Sequence, residues 1–136
     1  HTGVRAKEVK TLAMPQFDQG MSALLADLKD RGLLKETLVI AMGEFGRTPK
    51  VKPDGGRDHY AKAWTAVFAG GGVPGGAAVG KTDKTGATVE ERPVSAVDFM
   101  ATVCKLLGVD PDGAFHVGER PVRAVEKGAK PVAELL

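Results

Sequence analysis

The 136-residue sequence lacks several features that would assign a protein class directly. It has one cysteine, Cys104, which excludes an internal disulfide framework and a metal site made of cysteines alone. Its formal net charge is only +2, too small to indicate binding to nucleic acid or to an acidic membrane. No apolar run is long enough to span a bilayer. These absences leave an ordinary globular domain as the expectation.

The composition supports that expectation. Apolar residues make up 43% and charged residues 26% of the chain, which is usual for a soluble globular protein. The length suffices for one domain with its own core. The first residue is His1 and not methionine, so we expect a fragment, a processed product or an incomplete gene model.

Two segments have the spacing of amphipathic helices. The first covers residues 15–31 and is expected to bury one face and to end at Gly32. The second covers residues 95–108 and begins with Ser95 and Asp98, which resemble a capping box. Cys104 lies within the second pattern, which indicates a buried structural thiol and not a nucleophile. The apolar positions are Phe17, Met21, Leu24, Leu25 and Leu28 in the first segment and Val97, Met100, Val103, Leu106 and Leu107 in the second.

Two short apolar runs predict buried strands. Residues 37–42, TLVIAM, show no polar alternation, which is typical of a strand covered on both faces in a parallel sheet. Residues 64–69 predict a second strand, followed by three glycines that lack the pattern of a phosphate-binding loop and favour a close-packed turn. Residues 79–86 predict a polar hairpin or loop, and the tail from Asp110 is expected to wrap the surface. Helix, short turn and buried strand together predict an α/β fold with a mostly parallel sheet.

Residues 43–60, GEFGRTPKVKPDGGRDHY, begin at the carboxyl end of the first predicted strand. Ligands bind at this edge in open α/β sheets. Neutral imidazole of His59 can bind a metal, and Asp58 can be a further ligand or can orient the histidine. Arg47 and Arg57 offer forked donors that suit phosphate, sulfate or carboxylate. With Glu44, these are the groups that a metal-assisted hydrolase needs.

A structural interpretation of the same residues stays open. A loop rich in charged residues is usually a solvated surface, and Arg57 can pair with Asp58 or Glu44 for purely structural reasons. The spacing E-x13-D-H is not a standard metal signature.

The sequence also resembles the DUF1501 family over essentially its whole length. The resemblance is carried by LADLKDRGLLKETLVIAMGEFGRTP, GGRDHY, FAGGGVPGG, GKTDKTG, AVDFMATVCKLLGVD and the closing KPVAELL. That family in turn is similar to the alkaline phosphatase and sulfatase superfamily. The resemblance therefore implies an alkaline-phosphatase-like α/β fold, with a mostly parallel central sheet flanked by helices, of which this chain is the carboxy-terminal part.

The resemblance assigns roles to individual residues. Glu44 matches the aspartate of the superfamily's Asp-His metal pair, while Phe45 stands where the histidine would be. His59 matches the later histidine ligand. His1 matches the last residue of a Trp-Asp-Thr-His motif, and so it too is an expected metal ligand.

The implied activity is metal-dependent hydrolysis of phosphate or sulfate esters, with about one or two ions of zinc, manganese or calcium in the full-length protein. The implied substrate is a small anionic ester, such as a sulfated or phosphorylated glycan, bound by Arg47 and Arg57. The superfamily's nucleophile does not lie in this chain, so these residues alone are expected to be inactive. The family also implies export to the periplasm or beyond. Because Phe45 replaces a ligand, the alternative is an inactive fold that serves as a carbohydrate- or protein-binding module.

Overall fold

A computed structural model describes residues 5–136 of the chain. Its helices are α1, α2 and α3, with a π-helical turn between the first two and a final 3-10 turn. Its strands pair two by two into antiparallel sheets, β1 with β4, β2 with β3, β5 with β6 and β7 with β8. No helix of the described residues has both the length and the apolar character that a membrane crossing requires. The bounds are α1 Ala6–Glu8, the π turn Val9–Ala13, α2 Met14–Asp30, β1 Val39–Met42, β2 Gly46–Arg47, β3 His59–Tyr60, β4 Ala66–Ala69, β5 Lys81–Thr82, β6 Val89–Glu91, α3 Ala96–Leu106, β7 Ala114–Val117, β8 Arg120–Arg123 and the 3-10 turn Ala133–Leu135.

The first predicted helix is confirmed as α2. Pro15 lies in its first turn and directly follows the π-helical turn, in which the Met14 N–H donates to the Val9 carbonyl. Its predicted buried face is only partly covered, because Phe17 and Leu24 remain 47% and 46% exposed. An apolar stripe is buried only where a second layer lies over it. Residues 5–136 provide no complete layer over this stripe, and α2 buries none of its residues.

The two predicted strands pair with each other. β1 lies antiparallel to β4, with Val39 opposite Ala69 and Met42 opposite Ala66. The expectation that the first strand has a parallel neighbour and cover on both faces is not met within residues 5–136, since Met42 is 50% exposed. The connection through residues 43–65 returns directly to β1, which makes the pair antiparallel. The wider fold, a mostly parallel alkaline-phosphatase-like sheet flanked by helices, stays a prediction.

The glycine run after β4 forms the expected close-packed turn. Gly70, Gly71 and Gly72 all have positive φ, at 70°, 59° and 87°. A Cβ on Gly70 would lie 2.3 Å from the carbonyl oxygen of Thr37. The Gly71 N–H donates to the carbonyl of Leu34 at 2.9 Å. The turn therefore holds β4 against the segment that leads into β1, as only glycine permits.

The second predicted helix is confirmed as α3, together with its cap. The Ser95 hydroxyl oxygen accepts a hydrogen bond from the Asp98 N–H at 3.1 Å. This bond satisfies one of the free N–H groups of the first turn. Cys104 is buried at 8% exposure, as predicted, in a small core with Ala101 and Val125.

The carboxy-terminal tail docks on α3. The Lys130 N–H donates to a carboxylate oxygen of Asp98 at 2.7 Å. The Val132 N–H donates to the hydroxyl of Thr102 at 2.9 Å, and that hydroxyl donates to the Asp98 carbonyl at 2.7 Å. A two-bond ion pair between Arg92 and Glu134, 2.7 Å for each bond, fastens the end. Before this contact the tail forms the β7–β8 hairpin, which the sequence reasoning missed.

The predicted polar hairpin is confirmed as β5–β6, and one carboxylate organises its turn. Asp83 accepts hydrogen bonds from the N–H groups of Thr85, Ala87 and Thr88, and from the hydroxyls of both threonines. These donors, led by the Thr85 hydroxyl, hold the pKa of the Asp83 carboxyl well below its usual range. This side chain supplements two backbone bonds of the turn, from the Asp83 N–H to the Thr88 carbonyl at 2.9 Å and from the Gly86 N–H to the Asp83 carbonyl at 3.0 Å.

Candidate anion and metal site

A short hairpin places the predicted site residues together. β2 and β3 pair so that Arg47 lies opposite His59 and Gly46 lies opposite Tyr60. A Cβ on Gly46 would lie 1.6 Å from the carbonyl oxygen of Ala63, so this crossing requires glycine. Gly46 thus allows the chain to pass close to Ala63, and the pairing of β2 with β3 brings the sequences EFGR and GRDH side by side.

Aromatic contacts connect the two predicted functional side chains. The rings of Phe45 and His59 lie 4.0 Å apart between centroids at an angle of 34°. The Arg47 guanidinium carbon lies 5.3 Å from the centroid of the Phe45 ring, within the range of a cation–π contact. Phe45 therefore supports both Arg47 and His59 by packing.

Arg57 closes the hairpin through backbone carbonyls. Its Nε donates to the Thr48 carbonyl, and its Nη2 donates to the Arg47 carbonyl at 2.9 Å. Neither Asp58 nor Glu44 pairs with Arg57 among the described residues. The structural role that the sequence left open is thus real, but its partners are carbonyls and not carboxylates. The other N–H groups of the Arg57 guanidinium are not used in these two bonds.

Asp58 belongs to a polar network on the hairpin surface. Lys52 Nζ lies 2.8 Å from Asp58 Oδ1, and the Asp58 side chain is 63% exposed. The hydrogen bond from Lys52 and then the charge of Lys52 lower the pKa of the Asp58 carboxyl. The Thr48 N–H donates to the Asp58 carbonyl at 3.0 Å, and the Asp58 N–H donates to the Thr48 hydroxyl at 3.1 Å. Asp58 is therefore ionised and already has a cationic partner.

The side chains that the sequence predicts as metal ligands do not come together within residues 5–136. Glu44 is exposed and lies two residues before the start of β2. Residues 5–136 contain no group of three or more histidine, cysteine, aspartate or glutamate side chains that could hold a metal ion. His1 lies outside the described residues. The assignment of Glu44, Asp58, His59 and His1 as metal ligands stays a prediction.

Lys52 and Thr48 are the members of this network that sequence reasoning missed. A signal for the loop geometry was present in Pro53-Asp54-Gly55, a typical turn sequence. Asp54 Oδ1 accepts the Gly56 N–H at 2.9 Å, and Gly55 has a φ of 81°. This turn returns the chain so that Lys52 reaches Asp58.

Comparison with models of protein families gives a match over the whole chain. The model of the family described as "Protein of unknown function (DUF1501)" matches residues 1–136. No curated protein and no solved structure matches the chain. The agreement spans the whole sequence, including the hairpin that carries EFGRTP and GRDH. The chain belongs to the DUF1501 family.

Proposed function

We propose that the β2–β3 hairpin is the anion-binding part of a site for phosphate or sulfate esters in a metal-dependent hydrolase. The observation that carries the proposal is the register of this hairpin, in which Arg47 lies directly opposite His59. A guanidinium beside an imidazole, at the end of β1, provides an anion-binding group next to a group that can bind metal or transfer a proton.

Arg47 is the main anion-binding residue of the proposal. Its side chain is exposed and is held beside the Phe45 ring, which limits the freedom of the guanidinium before an ester arrives. Arg57 would add the donors that its two carbonyl bonds leave over. Lys52 adds positive charge to the same loop, although its ammonium is engaged by Asp58. Small anionic esters, including sulfated or phosphorylated glycans, are the proposed substrates.

The metal would be a divalent ion, zinc, manganese or calcium, and when bound it would polarise the ester oxygen. Glu44, His59 and Asp58 do not by themselves fit such an ion, because they do not converge and Asp58 is paired with Lys52. The metal part of the proposal thus requires donors beyond residues 5–136, and His1 is the candidate. Export to the periplasm or beyond belongs to the same proposal.

A second candidate function has its own support. In the resemblance to alkaline phosphatases, Phe45 would stand where a histidine ligand lies, and Arg57 uses two of its donors on backbone carbonyls of the hairpin. Both features fit an alkaline-phosphatase-like fold that has lost catalysis and binds carbohydrate or protein. This alternative predicts ligand binding without metal or turnover.

The test uses the complete gene product, purified without chelator. Elemental analysis should find about one or two divalent ions per chain, and aryl phosphates or sulfates should be hydrolysed. Glu44→Ala should lower both metal content and hydrolysis. Glu90→Ala, at an exposed position on β6, is the matched control and should lower neither.

Two results would contradict parts of this proposal, the first its assignment of Glu44 and the second the hydrolase itself. Unchanged metal content and unchanged hydrolysis in Glu44→Ala would remove Glu44 from the site. A protein without metal or turnover, even after incubation with the three ions, would leave the binding module as the function.

A further inference from the structure

The β2–β3 hairpin is too short to hold its own position. Each strand contributes two residues to the pairing, Gly46 opposite Tyr60 and Arg47 opposite His59. An isolated two-stranded hairpin is marginally stable at best in water. The geometry of the Arg47–His59 pair therefore depends on contacts that reach from the hairpin to other parts of the chain.

Tyr60 makes such a contact. Its side chain is partly buried, and its hydroxyl donates to the Ala87 carbonyl at 2.7 Å. Ala87 lies in the turn between β5 and β6, 27 positions further along the chain. The bond thus joins two hairpins that are distant from each other in the sequence.

The turn that carries Ala87 is itself held by Asp83. The Ala87 N–H donates to Oδ1 of Asp83 at 3.0 Å, and the Thr88 N–H donates to Oδ2 at 2.9 Å. The backbone adds a bond from the Asp83 N–H to the Thr88 carbonyl at 2.9 Å. Ala87 is bonded to Asp83 through its N–H and to Tyr60 through its carbonyl, so it links these two side chains.

Tyr60 lies on the opposite face of the hairpin from the predicted site residues. Successive side chains of a strand point to opposite faces, and residues paired across an antiparallel ladder share a face. His59 therefore shares a face with Arg47, and its ring centroid lies 4.0 Å from that of Phe45. Gly46, opposite Tyr60, has no side chain. Tyr60 thus holds the strand without occupying the face that carries Arg47 and His59.

We infer that Tyr60 is a positioning residue for the Arg47–His59 pair. It couples the pair, through the Ala87 carbonyl, to the turn that Asp83 holds. The inference rests on the proposed function, in which this pair meets an anionic ester. A binding site needs side chains that are held by supporting contacts, and side chains ordered before the ligand arrives lose less freedom on binding. Loss of the Tyr60 hydroxyl should therefore loosen the pair and weaken anion binding.

The test follows the contact between the Phe45 and His59 rings by NMR, in the complete gene product with isotope-labelled histidine rings. The ring current of a phenylalanine shifts the proton signals of a ring stacked on its face to higher field. A His59→Gln variant identifies the His59 signal. Spectra are recorded with chelator and at alkaline pH, so that variants do not differ in bound metal or in histidine protonation. Tyr60→Phe removes only the hydroxyl and should move the His59 signal toward that of a histidine in an unstructured peptide.

Further variants test the route of the coupling. Asp83→Asn replaces one acceptor oxygen by an amide and should move the His59 signal in the same direction. The double variant with Tyr60→Phe should move it no further than the larger of the two single shifts, because both changes break the same series of bonds. Ser22→Ala is the matched control and should leave the signal in place. It also removes a hydroxyl that donates to a backbone carbonyl, that of Gln19 on α2 at 3.2 Å.

Titration with sulfate and with inorganic phosphate, followed through the same signal, connects the coupling to the proposed site. The parent should bind at least one of these anions. Tyr60→Phe should bind about two- to tenfold more weakly, which is the loss expected when one more side chain must be ordered on binding. A parent that binds neither anion would contradict the proposed function, whereas the coupling is judged by the shift of the His59 signal.

Three results would overturn the inference. A His59 signal that is unchanged in Tyr60→Phe would show that the hydroxyl does not set the ring contact. Shifts that add in the double variant would exclude the route through Ala87 and Asp83. Equal anion affinity of the parent and Tyr60→Phe would remove any effect of Tyr60 on the site.

Discussion

Replacement of Thr102 by valine tests how the tail is held on α3. Thr102 is 1% exposed, and its hydroxyl accepts the Val132 N–H while donating to the Asp98 carbonyl. Valine has nearly the same shape but no hydroxyl, so the Val132 N–H is left buried without its acceptor. A buried donor without a partner costs about 1–3 kcal/mol. Thr102→Val should therefore lower the free energy of unfolding by that amount.

Thr102→Ser is the matched control. Serine keeps the hydroxyl and both hydrogen bonds but loses one methyl group, which costs about 0.8 kcal/mol. Urea unfolding measures both variants, with an unchanged slope as the sign that only stability has altered. Amide hydrogen exchange at Val132 should accelerate in Thr102→Val and stay slow in Thr102→Ser. A valine variant as stable as the parent, or more stable than the serine variant, would refute the role assigned to this hydroxyl.

Three further outcomes follow from the backbone and from one carboxylate. Gly46→Ala should cost about 3 kcal/mol in urea unfolding, because its Cβ would collide with the Ala63 carbonyl; a neutral effect would contradict the close crossing. Gly20→Ala, in the interior of α2 with nothing within 4 Å of the new Cβ, should instead stabilise by about 1 kcal/mol in the same assay. The fold lowers the pKa of the Asp83 carboxyl from its unfolded value near 3.8. The ionised carboxylate therefore stabilises the fold at pH values above 3.8, and this stabilisation is lost as the pH falls through the lower pKa of the folded state. Amide exchange in the 83–88 turn should therefore remain slow at pH 4 and become fast in Asp83→Asn, and equally slow exchange in that variant would contradict the role of the carboxylate.

The helices were predictable because their determinants are local. Residues three and four apart define the apolar stripes of α2 and α3, and Ser95 with Asp98 defines a cap within one turn. The extent of burial was not predictable in this way. Whether Phe17 is covered depends on a second layer, and spacing within one helix carries no information about that layer.

The strands show the same limit. Apolar runs located β1 and β4, but the direction of their pairing depends on the route of residues 43–65, which no local pattern records. The β7–β8 hairpin was not predicted, although the two residues that connect its strands, Gly118 and Glu119, are typical of a tight hairpin turn. Gly118 has a φ of 62°. Its strands are exposed throughout, and Pro121 in β8 weakens the strand signal.

At the candidate site, residue types indicated the chemistry but not the partners. Residues 43–60 do bring cations and carboxylates together, as the Lys52–Asp58 ion pair shows, and their role as a binding site stays a prediction. The sequence could not show that Asp58 pairs with Lys52, or that Arg57 donates to two backbone carbonyls. Long side chains can reach several neighbours, and the folded loop determines which of them they contact. Such choices depend on the turn at Pro53-Asp54-Gly55, which sets the loop's register.

The hydrogen bonds to Asp83 limit which residues of the turn around it can vary. The shape of this turn depends on the acceptor Asp83, on the donors Thr85 and Thr88, and on Gly86, which has a φ of 72°. Lys84 takes no part in these bonds, so it is free to vary while its neighbours are not. These bonds are local, and one longer-range bond, from the Tyr60 hydroxyl to the Ala87 carbonyl at 2.7 Å, joins the turn to β3. Residues 83–88 grafted into another β-hairpin should therefore keep the bonds to Asp83 and lose only the bond from Tyr60.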